Sequence, residues 1–280
     1  MSEKMYLPPN EILDVTIESG VKKVGKPLSK QFVFGILAGA FIGFAASASN
    51  MASYGLLANP ETYGLGKFVA GLLFPVGLMF VLIAGADLFT GNNLIFVATL
   101  KKRVSISGML KNWLLVYIGN FLGAVLIAGA VVYIGQLSAG KSMLGGLTIK
   151  IAYSKVTLQF GKAFVMGILC NWIVCLSVWM SYGAKDMAGK LLTAFFPIWL
   201  FVTSGFEHSV ANMYYVPAGI FAKSVDSYVQ ASHISESALQ ALNWGNFFVK
   251  NLVPVTLGNI VGGVFFVGLV YWFCFSKKAK

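Results

Sequence analysis

Charge is scarce in this sequence. Of its 280 residues only 11% are Asp, Glu, Lys or Arg, and acids number just 10, while 57% are hydrophobic; the mean hydropathy is +0.76. That deficit excludes a water-soluble globular domain and leaves a polytopic membrane protein surrounded by the lipid bilayer. Cysteine is scarcer still. Cys170, Cys175 and Cys274 all fall in apolar runs, the first two on one helix, so they read as packing residues; no disulfide framework, metal site or cofactor is expected. Also missing is a short apolar region followed by a small-residue cleavage site near the start, so the first apolar run is expected to remain in the mature protein. The net charge of +11 does not point to nucleic acid, because the lysines lie in connections between apolar runs.

What the chain does have is apolar length. Six segments, roughly 31–58, 68–99, 111–137, 160–182, 190–222 and 248–275, each reach the about 20 residues that a spanning helix needs. The second and fifth are too long for one simple span, and each is interrupted. Ala84-Gly85-Ala86-Asp87-Leu88-Phe89-Thr90-Gly91-Asn92 breaks one, and Thr203-Ser204-Gly205-Phe206-Glu207-His208-Ser209 breaks the other. A helix that stops inside the bilayer frees backbone N–H and C=O groups, which is tolerated only where protein or a water-filled cavity surrounds them. Paired breaks in corresponding spans mark a transport site.

An internal repeat supports this count. Lys111-Asn112, Val116 and Gly119-Asn120, with Gly123, open the third span at the same offsets as Lys250-Asn251, Val255, Gly258-Asn259 and Gly262 in the sixth. Gly85-x-Asp87 and Gly205-x-Glu207 also match. Three spans form each unit, and an odd number obliges the second copy to enter the membrane from the opposite side, so the repeat is inverted. The recurring glycines, from Gly35, Gly39 and Gly43 to Gly258, Gly262 and Gly263, read mostly as close-packing positions. Gly85, Gly91 and Gly205 differ because they sit where the helix pattern fails.

The expected organisation is a cytoplasmic amphipathic helix within residues 1–30, a six-span channel domain over 31–275 and a cytoplasmic tail at 276–280. Placing both termini in the cytoplasm puts 14 of the 21 basic residues inside. Leu13, Ile17, Val21 and Val24 make one apolar stripe on the first helix, after a start at Pro9 or Asn10. Such a helix either rests on the leaflet or plugs the pathway from below. The polar connection over 223–247 holds His233, which reads as a solvated loop residue.

His208 carries the strongest chemical signal. An imidazole near mid-membrane is costly unless it faces a cavity or a partner, so it is read as functional, with packing beside the break as the plainer alternative. Asp87 and Glu207 read as braces that accept backbone N–H groups freed by their own breaks, with cation binding as the alternative. Thr90 offers a hydroxyl in the first break, and Asn212 follows the second. Lys155 and Asn171 could face the site, although a lysine at a span end also snorkels. Phe74, Phe201 and Leu78 flank the breaks and could form dry constrictions.

The segments Asp87-Leu88-Phe89-Thr90-Gly91-Asn92, Lys111-Asn112-Trp113, Gly167-Ile168-Leu169-Cys170-Asn171, Gly205-Phe206-Glu207-His208-Ser209-Val210-Ala211-Asn212-Met213 and Pro254-Val255-Thr256-Leu257-Gly258-Asn259 resemble the formate/nitrite transporter family. The likeness runs from Pro8-Pro9-Asn10-Glu11 to the sixth span. It implies an all-α, aquaporin-like six-helix protomer, a homopentamer in the bacterial cell (inner) membrane and a separate pathway for small monovalent anions through each protomer. Carried over by motif, His208 is the central pore histidine and Thr90 its partner in a mobile loop. Lys155 and Asn171 attract and orient the anion, Phe74 and Phe201 form the outer constriction, and Leu78 with Leu88 the inner one. The family has members for formate, nitrite and hydrosulfide; the resemblance leans to formate or hydrosulfide and does not choose between passive and proton-linked transport.

Two other classes compete. A neutral-solute channel of the aquaporin type would share broken inverted repeats, but it calls for paired Asn-Pro-Ala turns and the chain has none. An intramembrane hydrolase would use Ser204 or Ser209 with His208, yet adjacent residues on one turn point apart and no oxyanion arrangement is visible, so no enzyme activity is expected.

Overall fold

The computed structural model describes residues 5–276 and is helical, with one isolated bridge between Tyr6 and Ala184 outside the helices. Lys4 and residues 277–280, which enter the charge count and the expected tail, lie outside the described residues. The elements are α1 (Pro9–Gly25), α2 (Leu28–Leu57), α3 (Pro60–Gly85), α4 (Phe89–Leu100), α5 (Ile106–Tyr133), α6 (Met143–Val156), α7 (Phe160–Gly183), α8 (Met187–Ser204), α9 (Ser209–Ala222) and α10 (Trp244–Phe275). Six of these, α2, α3, α5, α7, α8 and α10, are long and apolar enough to cross a membrane, as the sequence pattern implied.

The inverted repeat is visible in the packing. α2 pairs with α5 in the first half and α7 with α10 in the second, the two halves making equivalent backbone-to-backbone approaches. A Cβ placed on Gly123 would sit 1.9 Å from the Ile36 carbonyl oxygen, and one on Gly258 would sit 2.1 Å from that of Phe164. Only glycine lets these helices touch so closely, and in lipid that contact is what holds them.

Both breaks fall where the residue pattern placed them, but they are shorter than expected. α3 ends at Gly85 (φ +92°) and α8 is closed by Gly205 (φ +77°). Both glycines occupy the left-handed region that terminates helices and strains other residues. Gly91 is different: it lies inside the first turn of α4 with no positive φ, so it is not part of the break. Thr90 likewise sits on that helical turn, fully buried, rather than in a loop. Before the first break, Pro75 removes a ladder hydrogen bond from α3, and Phe80–Gly85 widens into a π-helical turn.

α1 does not lie free on a leaflet. Pro9 starts it, Glu11 occupies its first turn and Lys22 and Lys23 its last, all suited to the helix dipole. Ile12, Leu13 and Ile17 are buried against the body of the protein, and Gly20 lets α1 approach Ala98 of α4. The helix thereby lies beneath the first break. Cys170 and Cys175 are buried as expected, whereas Cys274 is exposed on the apolar surface of α10, because its face of the helix has no helix of the same chain against it.

Candidate functional site

The site is built from the two breaks, and two asparagines hold them in mirrored fashion. Asn120 Oδ1 accepts the Phe89 N–H at 2.9 Å, while its Nδ2 donates to the carbonyls of Gly35 (2.8 Å) and Asp87 (3.0 Å). Asn259 Oδ1 accepts the Ser209 N–H at 2.9 Å, and its Nδ2 donates to the carbonyls of Gly167 (2.8 Å) and Glu207 (3.0 Å). The N–H groups of Asp87 and Glu207 are donated to the Phe34 and Met166 carbonyls. Every bond on one side has its counterpart on the other.

This corrects the role expected for the two acids. Their carboxylates do not cap the breaks; each binds a lysine. Asp87 pairs with Lys26 at 2.6 Å and Lys23 at 3.6 Å, both carried by the α1 segment. Glu207 pairs with Lys155 at 2.7 Å and accepts the Asn212 amide at 2.6 Å. A fully buried carboxylate needs a charge partner more than a backbone N–H does, and the asparagines, being neutral, satisfy the backbone at lower desolvation cost.

Between the breaks lies the decisive pair. Thr90 Oγ1 is 2.9 Å from His208 Nε2. His208 Nδ1 accepts the Ala211 N–H at 3.0 Å, capping α9. With Nδ1 acting as acceptor, the proton of the neutral imidazole is on Nε2 and is donated to Thr90, whose own hydroxyl proton remains available to a third group. Ser209 Oγ makes no hydrogen bond among the described residues, and both ring nitrogens are committed elsewhere, so no serine–histidine dyad forms.

A cavity opens on either side. One, of about 520 Å³, is lined by Lys155, Glu207, Asn212, Gly205 and His208 and ends at Phe74 and Phe201. The other, of about 270 Å³, is lined by Lys23, Lys26, Asp87, Gly85 and Gly91 and ends at Leu78 and Leu88. The Phe74 and Phe201 rings meet edge to face at 5.9 Å, and Phe201 stacks on His208 at 6.0 Å. All four closing side chains are at most 3% exposed, so a solute passing between the cavities must leave its water behind.

Asn171 sits beside Thr90, between the two cavities. It lines neither cavity; its amide donates to the Thr90 and Asn259 carbonyls (3.3 and 2.7 Å) and to Asn93 Oδ1 (2.8 Å), which ties the two breaks together. Sequence reasoning missed Asn120 and Asn259 as braces, although their repetition was the available signal. It also missed Lys23 and Lys26, which look like ordinary surface lysines until α1 is placed.

A family model described as formate/nitrite transporter matches residues 10–273. The chain belongs to the formate/nitrite transporter family. Its relatives in that family include a probable formate transporter of Methanothermobacter thermautotrophicus, 41% identical with 90% of this chain and 91% of the relative covered. The formate channel FocA of Haemophilus influenzae is 39% identical over 94% of this chain and 93% of its own length. Among solved structures, a pentameric formate channel with formate bound is 35% identical with a TM-score of 0.79, covering 89% of this chain and 98% of that one. Membership in the formate/nitrite transporter family makes the chain a multi-pass membrane protein that passes small anions.

Proposed function

We propose that the protein is a formate channel of a bacterial cell membrane. It works as a homopentamer with one pathway per protomer and both termini in the cytoplasm. On this reading residues 1–30 form the cytoplasmic helix, 31–275 the channel domain and 276–280 the tail. The Lys155 cavity then opens outside and the α1 cavity inside. The relatives named for formate support that substrate over nitrite and hydrosulfide.

The observation that carries the reading is the Thr90–His208 pair behind dry constrictions. A carboxylate entering from the lysine-lined cavity sheds water at Phe74 and Phe201, which a bare anion does only at large cost. The hydroxyl proton of Thr90, oriented by the Nε2–H that His208 donates to its oxygen, replaces part of that hydration. A proton taken up from water in the cavity by the carboxylate itself, giving the neutral acid, removes the rest of the barrier, and its release to water on the far side makes the pathway proton-linked. No step calls for covalent chemistry, and lysines at both cavities disfavour a neutral-solute pathway.

Purified protein in liposomes, assayed for formate, nitrite and hydrosulfide flux at two pH values, tests this. Formate flux that exceeds the other two and rises as pH falls is expected. Equal flux of all three, or none above protein-free vesicles, would refute it.

A further inference from the structure

The charges of the Lys155 cavity do not balance. Lys155 is held by Glu207 at 2.7 Å and lies over the Tyr215 ring, so its charge is largely spent within the wall. Lys67, on α3, lines the same cavity, with its ammonium beside Gly205 at the second break. Among the described residues lining this cavity, two lysines share one carboxylate, and Lys67 has neither a hydrogen bond nor a salt bridge. Two buried polar groups in the same wall, Asn50 Nδ2 and Thr203 Oγ1, also lack partners among the described residues. Thr203 packs against Gly71, one helical turn from Lys67.

We infer that Lys67, with the Asn50 amide and the Thr203 hydroxyl, forms an anion-loading subsite in this cavity, and that Lys67 supplies the charge that concentrates the anion. The inference rests on the formate reading above. The Lys155–Glu207 pair acts instead as a fixed part of the wall. An ammonium with no carboxylate of its own, beside two hydrogen-bonding groups that lack partners, suits a small carboxylate, which accepts on both oxygens. An uncompensated charge in a narrow, low-dielectric cavity raises the local anion concentration and loses this effect as salt screens it.

The test is formate uptake by full-length protein in liposomes at low and high ionic strength. Lys67→Gln is expected to lower flux at subsaturating formate about three- to tenfold in low salt, with the gap closing in high salt, and to act on KM more than on kcat. Lys67→Arg should restore the wild-type salt dependence. Asn50→Asp, which cancels the charge while keeping Lys67, should reproduce the loss and covers the case in which Lys67→Gln fails to fold. Wild-type formate flux with unchanged low-salt flux in Lys67→Gln or Asn50→Asp would overturn the inference alone, as would a loss equal at all salt concentrations. Absence of wild-type flux would overturn the formate reading and this inference with it.

Discussion

Thr90 and His208 meet at 2.9 Å from opposite halves of the inverted repeat, one on the turn that resumes the broken second span and the other at the cap that resumes the fifth. Under the repeat His208 matches Leu88 and Thr90 matches Val210, so neither polar group has a counterpart in the other half. Function at the centre of the protein therefore depends on what the repeat does not share.

Removing the hydroxyl should cost flux. Thr90→Val leaves the His208 Nε2–H without its acceptor in a dry site, a penalty of about 1–3 kcal/mol. If it appears in the transport barrier, formate flux falls by roughly tenfold or more. Thr90→Ser keeps the donor and should stay within a few-fold of wild type. Efflux from formate-loaded liposomes measures both; equal flux in Thr90→Val and wild type would refute the role given to the pair.

The asparagine braces should matter to stability before they matter to transport. Asn120→Ala and Asn259→Ala each strip partners from one N–H and two carbonyls inside the protein. A loss of about 3 kcal/mol is expected for each, and similar in the two because the bonds correspond. Thermal unfolding in detergent, followed by tryptophan fluorescence, checks the size and the equality.

The Lys155–Glu207 pair should show strong non-additivity. The side chains are 13% and 5% exposed, so removing either alone strands a charge in the wall. Lys155→Met or Glu207→Gln singly is expected to destabilise by about 3 kcal/mol, whereas the double substitution should recover much of that. A double-mutant cycle on melting temperature decides it; simple addition of the two losses would argue against a compensated pair.

Glycine substitutions should separate contact from conformation. Gly123→Ala and Gly258→Ala drive a methyl into a neighbouring carbonyl and are expected to abolish assembly in the membrane. Gly161→Ala, in helix α7 with nothing within 4 Å of the added carbon, should be neutral or stabilise by about 0.4–1 kcal/mol. Yield of folded protein after solubilisation and size-exclusion chromatography reports the contrast.

Much of this was legible along the chain. The six spans follow from apolar length, the breaks from Gly85 and Gly205 beside acids, and the inversion from an odd-numbered repeat. The roles of Asp87 and Glu207 were not legible, because an acid beside freed N–H groups looks like a cap until its lysine partners are located. Lys26 is 61 residues from Asp87, and Lys155 is 52 from Glu207. The partners of Asn171 were hidden for a related reason: its position on α7 was clear, but not that its amide meets the Thr90 and Asn259 carbonyls.

By itself the sequence determined where helices start, stop and break, since those depend on local hydropathy, glycine and proline. It also marked His208 as a residue too costly to place in a membrane without purpose. Only the tertiary structure decided which polar group meets which. In lipid each buried donor, acceptor and charge must find its partner within the protein, and those partners lie many residues away, in another helix of the same half for the asparagines and Lys155, in α1 for Asp87, and in the other half for His208. The division of labour that results, neutral asparagines for backbone, lysines for carboxylates and a threonine for the histidine, is a property of the assembled fold.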